Sequence, residues 1–286
     1  MAVKLVGRGN ANIVVQIDES GSLYRCCVKY PDSITQCNEY TKENYNFIEA
    51  IVRPLFPQGL ICPMEPVEAS VGTVLDVYGK YMNQSKLSDS DKILCFKLPN
   101  LKPGNVFINI LQEDHLTKIY TDESHSRILL EIKPKWVDYP TSYCRNCTDN
   151  SRKGRNIQYC YSNLLKDPTE LNKIICPSTK DIIQSQFLEM ITEYFKDKGN
   201  VLRQIYTAQR TIQQRIDNNL GKEINDLQLL MTLRDITCFI EWDDTMKIFD
   251  DLKVHIVDVD LKSVDKLGYW KRTAELLDTY PNKTFH

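Results

Sequence analysis

The chain has 286 residues, enough for one large domain or for two lobes with separate cores. Hydrophobic residues make up 42% and charged residues 26%, the balance of an ordinary globular protein. A formal net charge of −2 excludes a global field that would draw it to nucleic acid or membrane. An anionic partner must therefore be met by a local basic cluster.

The opening stretch MAVKLVGRGNANIVVQI is interrupted by Gly, Arg and Asn before an apolar segment of signal length forms. No apolar run approaches ~18 residues, so neither a signal peptide nor a membrane-spanning helix is expected. Within it, KLVGRGNANIVVQI reads as a hairpin, apolar on both sides of a Gly/Asn-rich centre, and SLYRCCVKY as the next strand. A helix is predicted from Glu43 to Val52, ended by Pro54, and GTVLDVYGKYM and DKILCFKL are read as strands. RILLEIKPK is a strand stopped by Pro134, and residues 139–160 are a polar, irregular excursion. Leu188, Ile191, Phe195, Leu202, Ile205 and Tyr206 recur at helical spacing between Ile182 and Ile216, and DLQLLMTLRD is a second helix. TCFIEW and KVHIVDVDL read as an antiparallel pair around DDTM. Strands first and helices later predict an α+β fold of two lobes with a cleft between them.

Five stretches carry chemistry. On a strand, Asp258 and Asp260 of DVDLK would share a face about 7 Å apart. That suits a hard divalent cation, and equally a strand end paired with Lys262 and Lys266. Lys133 and Lys135 flank Pro134 on one face, either with an anion between them or as a solvated edge pair. The glycines of GRGNAN, Gly7 to Asn12, would let backbone N–H groups approach a phosphate that Arg25 could also reach; a plain hairpin with a surface arginine is the alternative. Asp235 sits where a helix pattern gives way to a strand, as a general base or a helix-end residue. Cys144 and Cys147 form a C-x-x-C with Cys160 and Cys176 downstream, a structural zinc set or four of ten reduced thiols.

In this order, GRGNAN, LYRCCV, ICPM, EIKPKW, YCRNC, LLMTLRDITCFIEW and DVDLK resemble the inositol-pentakisphosphate 2-kinases, most of all their compact fungal form, from about residue 3 to about 270. The resemblance implies a protein-kinase-related fold with an N-lobe over 1–113, a hinge at 114–116 and a C-lobe over 117–286. It implies transfer of the ATP γ-phosphate to the 2-hydroxyl of inositol 1,3,4,5,6-pentakisphosphate, giving inositol hexakisphosphate. By motif, Asp258 and Asp260 would hold Mg²⁺ with ATP, and Asp235 would take the hydroxyl proton. Lys133, which is also given a catalytic part, would join Lys135, Asn200, Arg203, Lys262, Lys266 and Trp270 on the inositol phosphate, with Trp270 near a tyrosine position of the family. Lys153 and Arg155 would supply charge missing at Cys160, where plant members carry lysine. Gly7, Arg8, Gly9, Asn10, Asn12 and Arg25 would meet the nucleotide phosphates, with Asn10 replacing a family glycine, and Asp114 and His115 would meet adenine.

The same resemblance implies ATP and the pentakisphosphate as partners, a monomer, no contact with nucleic acid or membrane, and a nuclear or cytoplasmic location, the nucleus favoured by analogy. Two other readings stay open: a non-catalytic kinase-like module that senses inositol phosphates, and an interaction protein organised by zinc at Cys144, Cys147, Cys160 and Cys176.

Overall fold

The structure is a computed structural model, described here for residues 3–17, 21–218 and 223–286. The chain forms two compact units, Met1–Pro103 and Gly104–His286.

The first unit is built on a five-stranded antiparallel sheet of β1 (Lys4–Arg8), β2 (Asn12–Gln16), β3 (Ser22–Cys27), β4 (Glu65–Ser70) and β5 (Lys92–Pro99), in the order β1-β2-β3-β5-β4. The β1–β2 hairpin is the one read from the sequence. Its turn closes with the Gly9 N–H donating to the Asn12 carbonyl at 2.8 Å. Ile13 and Val15 point inward and meet Cys26, Val71, Val74, Tyr78 and Cys95 in one core. Helix α1 (Ile34–Phe47) packs on β3 and β5, and α2 (Val71–Tyr78) joins β4 to β5. GTVLDVYGKYM is therefore helical where a strand was expected. Val71, Val74, Val77 and Tyr78 are buried at helical spacing, and the Tyr78 hydroxyl donates to the Cys27 carbonyl at 3.1 Å. α1 begins well before Glu43, because Ser33 caps it by accepting from the Gln36 N–H at 3.2 Å.

The second unit carries a second antiparallel sheet of β6 (Asn109–Glu113), β7 (Thr117–Thr121), β8 (Arg127–Ile132), β9 (Thr237–Asp243) and β10 (Lys253–Val257), in the order β10-β9-β8-β7-β6. β8 is buried along almost its whole length, and Trp242 of β9 is fully buried with Phe187 edge-on at 5.8 Å. Helices follow: α3 (Arg145–Arg152), the short turns α4 (Tyr161–Leu164), α5 (Leu171–Ile174) and α6 (Pro177–Lys180), then α7 (Ser185–Lys196), α8 (Val201–Asp217), α9 (Glu223–Leu233) and α10 (Leu267–Asp278). Among the described residues, no helix is long and apolar enough to cross a membrane.

The boundary between units falls after Pro103, ten residues before the one drawn from the sequence. β6 pairs with β7 in the second sheet, so it is not part of the first unit. Residues 114–116, expected as a hinge, are the turn of that β6–β7 hairpin. The mixed α/β character is as predicted, and the strands form two antiparallel sheets.

Candidate active site

Strand ends and helix faces of the second unit converge on a cavity of about 280 Å³. Lys135 and Trp136 arrive from the exit of β8. α3 and the turn after it supply Arg145, Asn146, Asp149, Asn150, Lys153 and Arg155. The end of α9 supplies Met231, Arg234 and Asp235, and the segment into α10 supplies Lys262, Lys266, Tyr269 and Trp270. Seven lining side chains are Lys or Arg (135, 145, 153, 155, 234, 262, 266), against two carboxylates (149, 235). A chain with net charge −2 has therefore gathered one concave, strongly cationic surface.

Asp235 bridges two of these cations. The Lys135 ammonium donates to its Oδ1 at 2.7 Å and the Lys262 ammonium to its Oδ2 at 2.6 Å. Partial burial works against ionisation, but the charges of Lys262 and Lys135 outweigh it and hold the carboxyl at about 2. Lys135 adopts a left-handed backbone (φ 56°), unusual for a side chain of this size. On the other wall, the Trp136 ring is sandwiched between two guanidiniums, Arg145 at 3.9 Å and Arg234 at 3.4 Å from its centroid. Burial and the Arg145 charge push the Arg234 guanidinium well below its ordinary pKa. Lys153 is held by Asp149 at 2.6 Å, and Arg155 donates to the Asn150 Oδ1 at 3.2 Å. His115 lines the same cavity. Burial first, then the charges of Arg155, Lys135, Lys133 and Lys153, lower its pKa. The surface is chemically a receptor for a small polyanion, with an ionised carboxylate between two of its lysines.

The comparisons with known proteins bear on which polyanion. The family model described as inositol-pentakisphosphate 2-kinase matches residues 6–179 and 169–275. The chain belongs to the inositol-pentakisphosphate 2-kinase family. A protein of that name from Candida glabrata is 37% identical over 287 residues, covering 99% of this chain and 100% of its own. Those of Saccharomyces cerevisiae and Kluyveromyces lactis are 35% and 32% identical, each over 99% of this chain and over 99% and 97% of their own.

Of the residues that the family resemblance singles out, Lys135, Lys153, Arg155, Asp235, Lys262, Lys266, Trp270 and His115 line the cavity together. Lys133 does not; its ammonium lies 3.9 Å from Glu131 and acts on the cavity through its charge on His115. Lys133 and Lys135 were expected on one strand face, but β8 ends at Ile132 and the left-handed turn at Lys135 breaks the alternation. The same correction applies to Asp258 and Asp260. β10 ends at Val257 and Asp258 has φ 62°, so these two acids are not strand neighbours on one face. Aspartate tolerates this conformation better than most residues. Asp258 is exposed and its Oδ2 accepts from the hydroxyl of Thr237, the first residue of β9 and two positions after Asp235, at 2.7 Å. Val259, between the two acids, is buried.

Asn200 and Arg203 are elsewhere. Asn200 is 1% exposed and caps α8, accepting from the Arg203 N–H at 3.1 Å and donating to the carbonyls of Phe195 and Asp197. The Arg203 guanidinium donates to the Leu165 carbonyl at 3.0 Å. Asp114 is engaged as well. Its carboxylate accepts from the N–H groups of Leu116 and Thr117 and from the Tyr159 hydroxyl, so it shapes the hairpin turn, and only His115 faces the cavity. In the first unit, Gly7 and Arg8 end β1, Gly9 and Asn10 lie in the turn and Asn12 opens β2, with Arg8 4.7 Å over the Tyr81 ring. Arg25 on β3 stacks 4.8 Å from the Phe96 ring. A Cβ at Gly7 would meet nothing within 4 Å, and one at Gly9 only the Asn12 carbonyl at 3.7 Å, so neither glycine is required for packing inside the unit.

Reading C-R-N-C for metal spacing hid Arg145, which with Asp149 and Lys153 follows a four-residue helical repeat onto one face of α3. Trp136, Arg234 and Tyr269 line the cavity as well, with no spacing pattern in the sequence to mark them, and Tyr269 stands beside the expected Trp270. The cysteine set is corrected too. Cys144, Cys147 and Cys160 converge with His286, all four ligand atoms lying within 4.8 Å of one another. Cys176 is apart, beside the hydroxyls of Ser178 and Thr179.

Proposed function

We propose that the chain is an ATP-dependent inositol-pentakisphosphate 2-kinase that phosphorylates the 2-hydroxyl of inositol 1,3,4,5,6-pentakisphosphate to give inositol hexakisphosphate. The observation that carries this reading is full-length membership of the family together with a cavity lined by seven Lys and Arg side chains and two carboxylates, one of them Asp235. Point charges from Lys135, Lys153, Lys262 and Lys266 and forked donors from Arg145 and Arg155 grip the phosphates, leaving the free hydroxyl one orientation. Asp235 accepts a hydrogen bond and then the proton from that hydroxyl as its oxygen bonds to the γ-phosphorus and the bond to the ADP oxygen breaks. A carboxylate as acidic as this one is a weak base. That is sufficient for a loose phosphoryl-transfer transition state, in which positioning and charge neutralisation lower most of the barrier.

The nucleotide side belongs to the same proposal. The β1–β2 turn and Arg25 take the ATP phosphates, the part that a protein-kinase-related fold gives to such a hairpin. The donor set of Asp258 and Asp260, hard carboxylate oxygens just after β10, fits Mg²⁺, which when bound would offset the phosphate charge. Incubation with ATP, Mg²⁺ and inositol pentakisphosphate, followed by anion-exchange separation, should yield hexakisphosphate and ADP in equal amounts. ATP consumption without that product would refute the reading.

The second metal is a structural zinc held by Cys144, Cys147, Cys160 and His286. A tetrahedral zinc with Zn–S bonds near 2.3 Å separates its sulfurs by about 3.8 Å. The sulfurs of Cys144 and Cys160 are 3.5 Å apart, and that of Cys147 is 3.8 Å from the His286 Nε2. The site fastens the segment after α10 to α3, beside the Cys144 N–H that donates to the Thr284 carbonyl at 2.8 Å. Metal analysis should find one zinc per chain, and Cys147→Ser should lose it and lower Tm. A metal-free wild type that melts at the same temperature would remove zinc from the account.

A further inference from the structure

Two catalytic elements meet at this cavity without being covalent neighbours: the loop after β8, which carries Lys135, and the end of α9, which carries Asp235. A single buried side chain on α8 joins them. Gln209 is 0% exposed. Its amide nitrogen donates to the Lys135 carbonyl at 2.8 Å and to the Leu233 carbonyl at 3.0 Å. Its amide oxygen accepts from the N–H groups of Val137 at 3.0 Å and Asp138 at 3.1 Å. Both donors and both lone pairs of the carboxamide are in use, all on backbone.

We propose that Gln209 is a positioning residue for phosphoryl transfer, its carboxamide setting the Lys135 loop against the Asp235 junction. This rests on the reading of Lys135 and Asp235 given above. The left-handed backbone at Lys135 is a conformation that a lysine holds only at a cost, so its surroundings must enforce it. The Gln209 amide grips that residue's own carbonyl and the N–H groups two and three residues on. Asn146 braces the loop from α3, accepting from the Trp136 N–H at 3.2 Å and donating to the carbonyls of Pro134 and Trp136. Gln209 also reaches α9, through Leu233, two residues before Asp235, which Asn146 does not do by any hydrogen bond among the described residues. The 2.7 Å contact between Lys135 and Asp235 is thus set by bonds to the backbone on both sides of it.

The test is a double-mutant cycle on the full chain with ATP, Mg²⁺ and inositol pentakisphosphate. Gln209→Met keeps the shape and removes all four bonds. It should lower kcat by roughly a hundredfold, as for a misplacement of about 1 Å, while KM for ATP stays within twofold of wild type. In a Lys135→Met background the same substitution should change kcat by less than threefold, because the group it positions has gone. Equal fold-losses in the two backgrounds would overturn the inference, whatever the change in Tm. Wild-type kcat in Lys135→Met alone would instead defeat the reading of Lys135. If Gln209→Met does not fold, hydrogen exchange on the wild type decides. The Val137 and Asp138 amides should exchange as slowly as the core of α8, and exchange at the rate of an open loop would overturn the clamp.

Discussion

His115 is the one group in the cavity whose ordinary pKa lies close to neutrality, and both burial and four neighbouring cations favour its uncharged form. A bound polyphosphate reverses the sign of that field. Its pKa must then rise, and the imidazole takes up a proton as the ligand enters. Calorimetry of inositol pentakisphosphate binding in two buffers of different ionisation enthalpy should show more proton uptake near pH 6.5 for the wild type than for His115→Gln. Identical uptake in the two proteins would place the imidazole outside the phosphates' reach. Asp235 shows the opposite electrostatics. Its two ammonium partners hold it ionised, and a polyphosphate competes for both. Ligand entry therefore loosens the partners that hold its pKa down, and the carboxylate becomes more basic when it has a proton to accept.

At the scale of elements, helix α8 depends on its cap. Asn200→Ala removes the bond to the Arg203 N–H and leaves two buried carbonyls without their donor, so a loss of about 1–2 kcal/mol is expected. Denaturant unfolding measures it, and KM for inositol pentakisphosphate should not move. A raised KM at unchanged stability would put Asn200 on the ligand after all. Motif order grouped Lys135, Lys153, Lys262, Lys266 and Asp235, and all five line one cavity, because spacing along the chain survives folding as order along the elements. What spacing could not supply was backbone conformation. The alternation rule needs an extended chain, and it fails at Lys135 and Asp258, where a left-handed residue follows immediately or shortly after a strand's last residue. Nor could it supply convergence of distant segments: His286 stands 126 positions after Cys160, and the two meet only because α10 carries the chain back to α3. α2 was misread for a third reason. Its valines are strong strand formers, and their helical spacing was outweighed by that propensity.

The molecule as a whole sets a cationic cavity in an otherwise near-neutral chain and places Asp235 between two of its lysines. The account's central claim is that these have separate tasks, the cations gripping the inositol phosphates and Asp235 serving the hydroxyl. Asp235→Asn separates them, because it removes the base and frees Lys135 and Lys262 for phosphate. The decisive measurement is affinity and turnover on the same preparation. Inositol pentakisphosphate should bind at least as tightly as to the wild type, while kcat falls by roughly 10²–10⁴-fold. Wild-type turnover, or loss of binding in step with loss of turnover, would contradict the account.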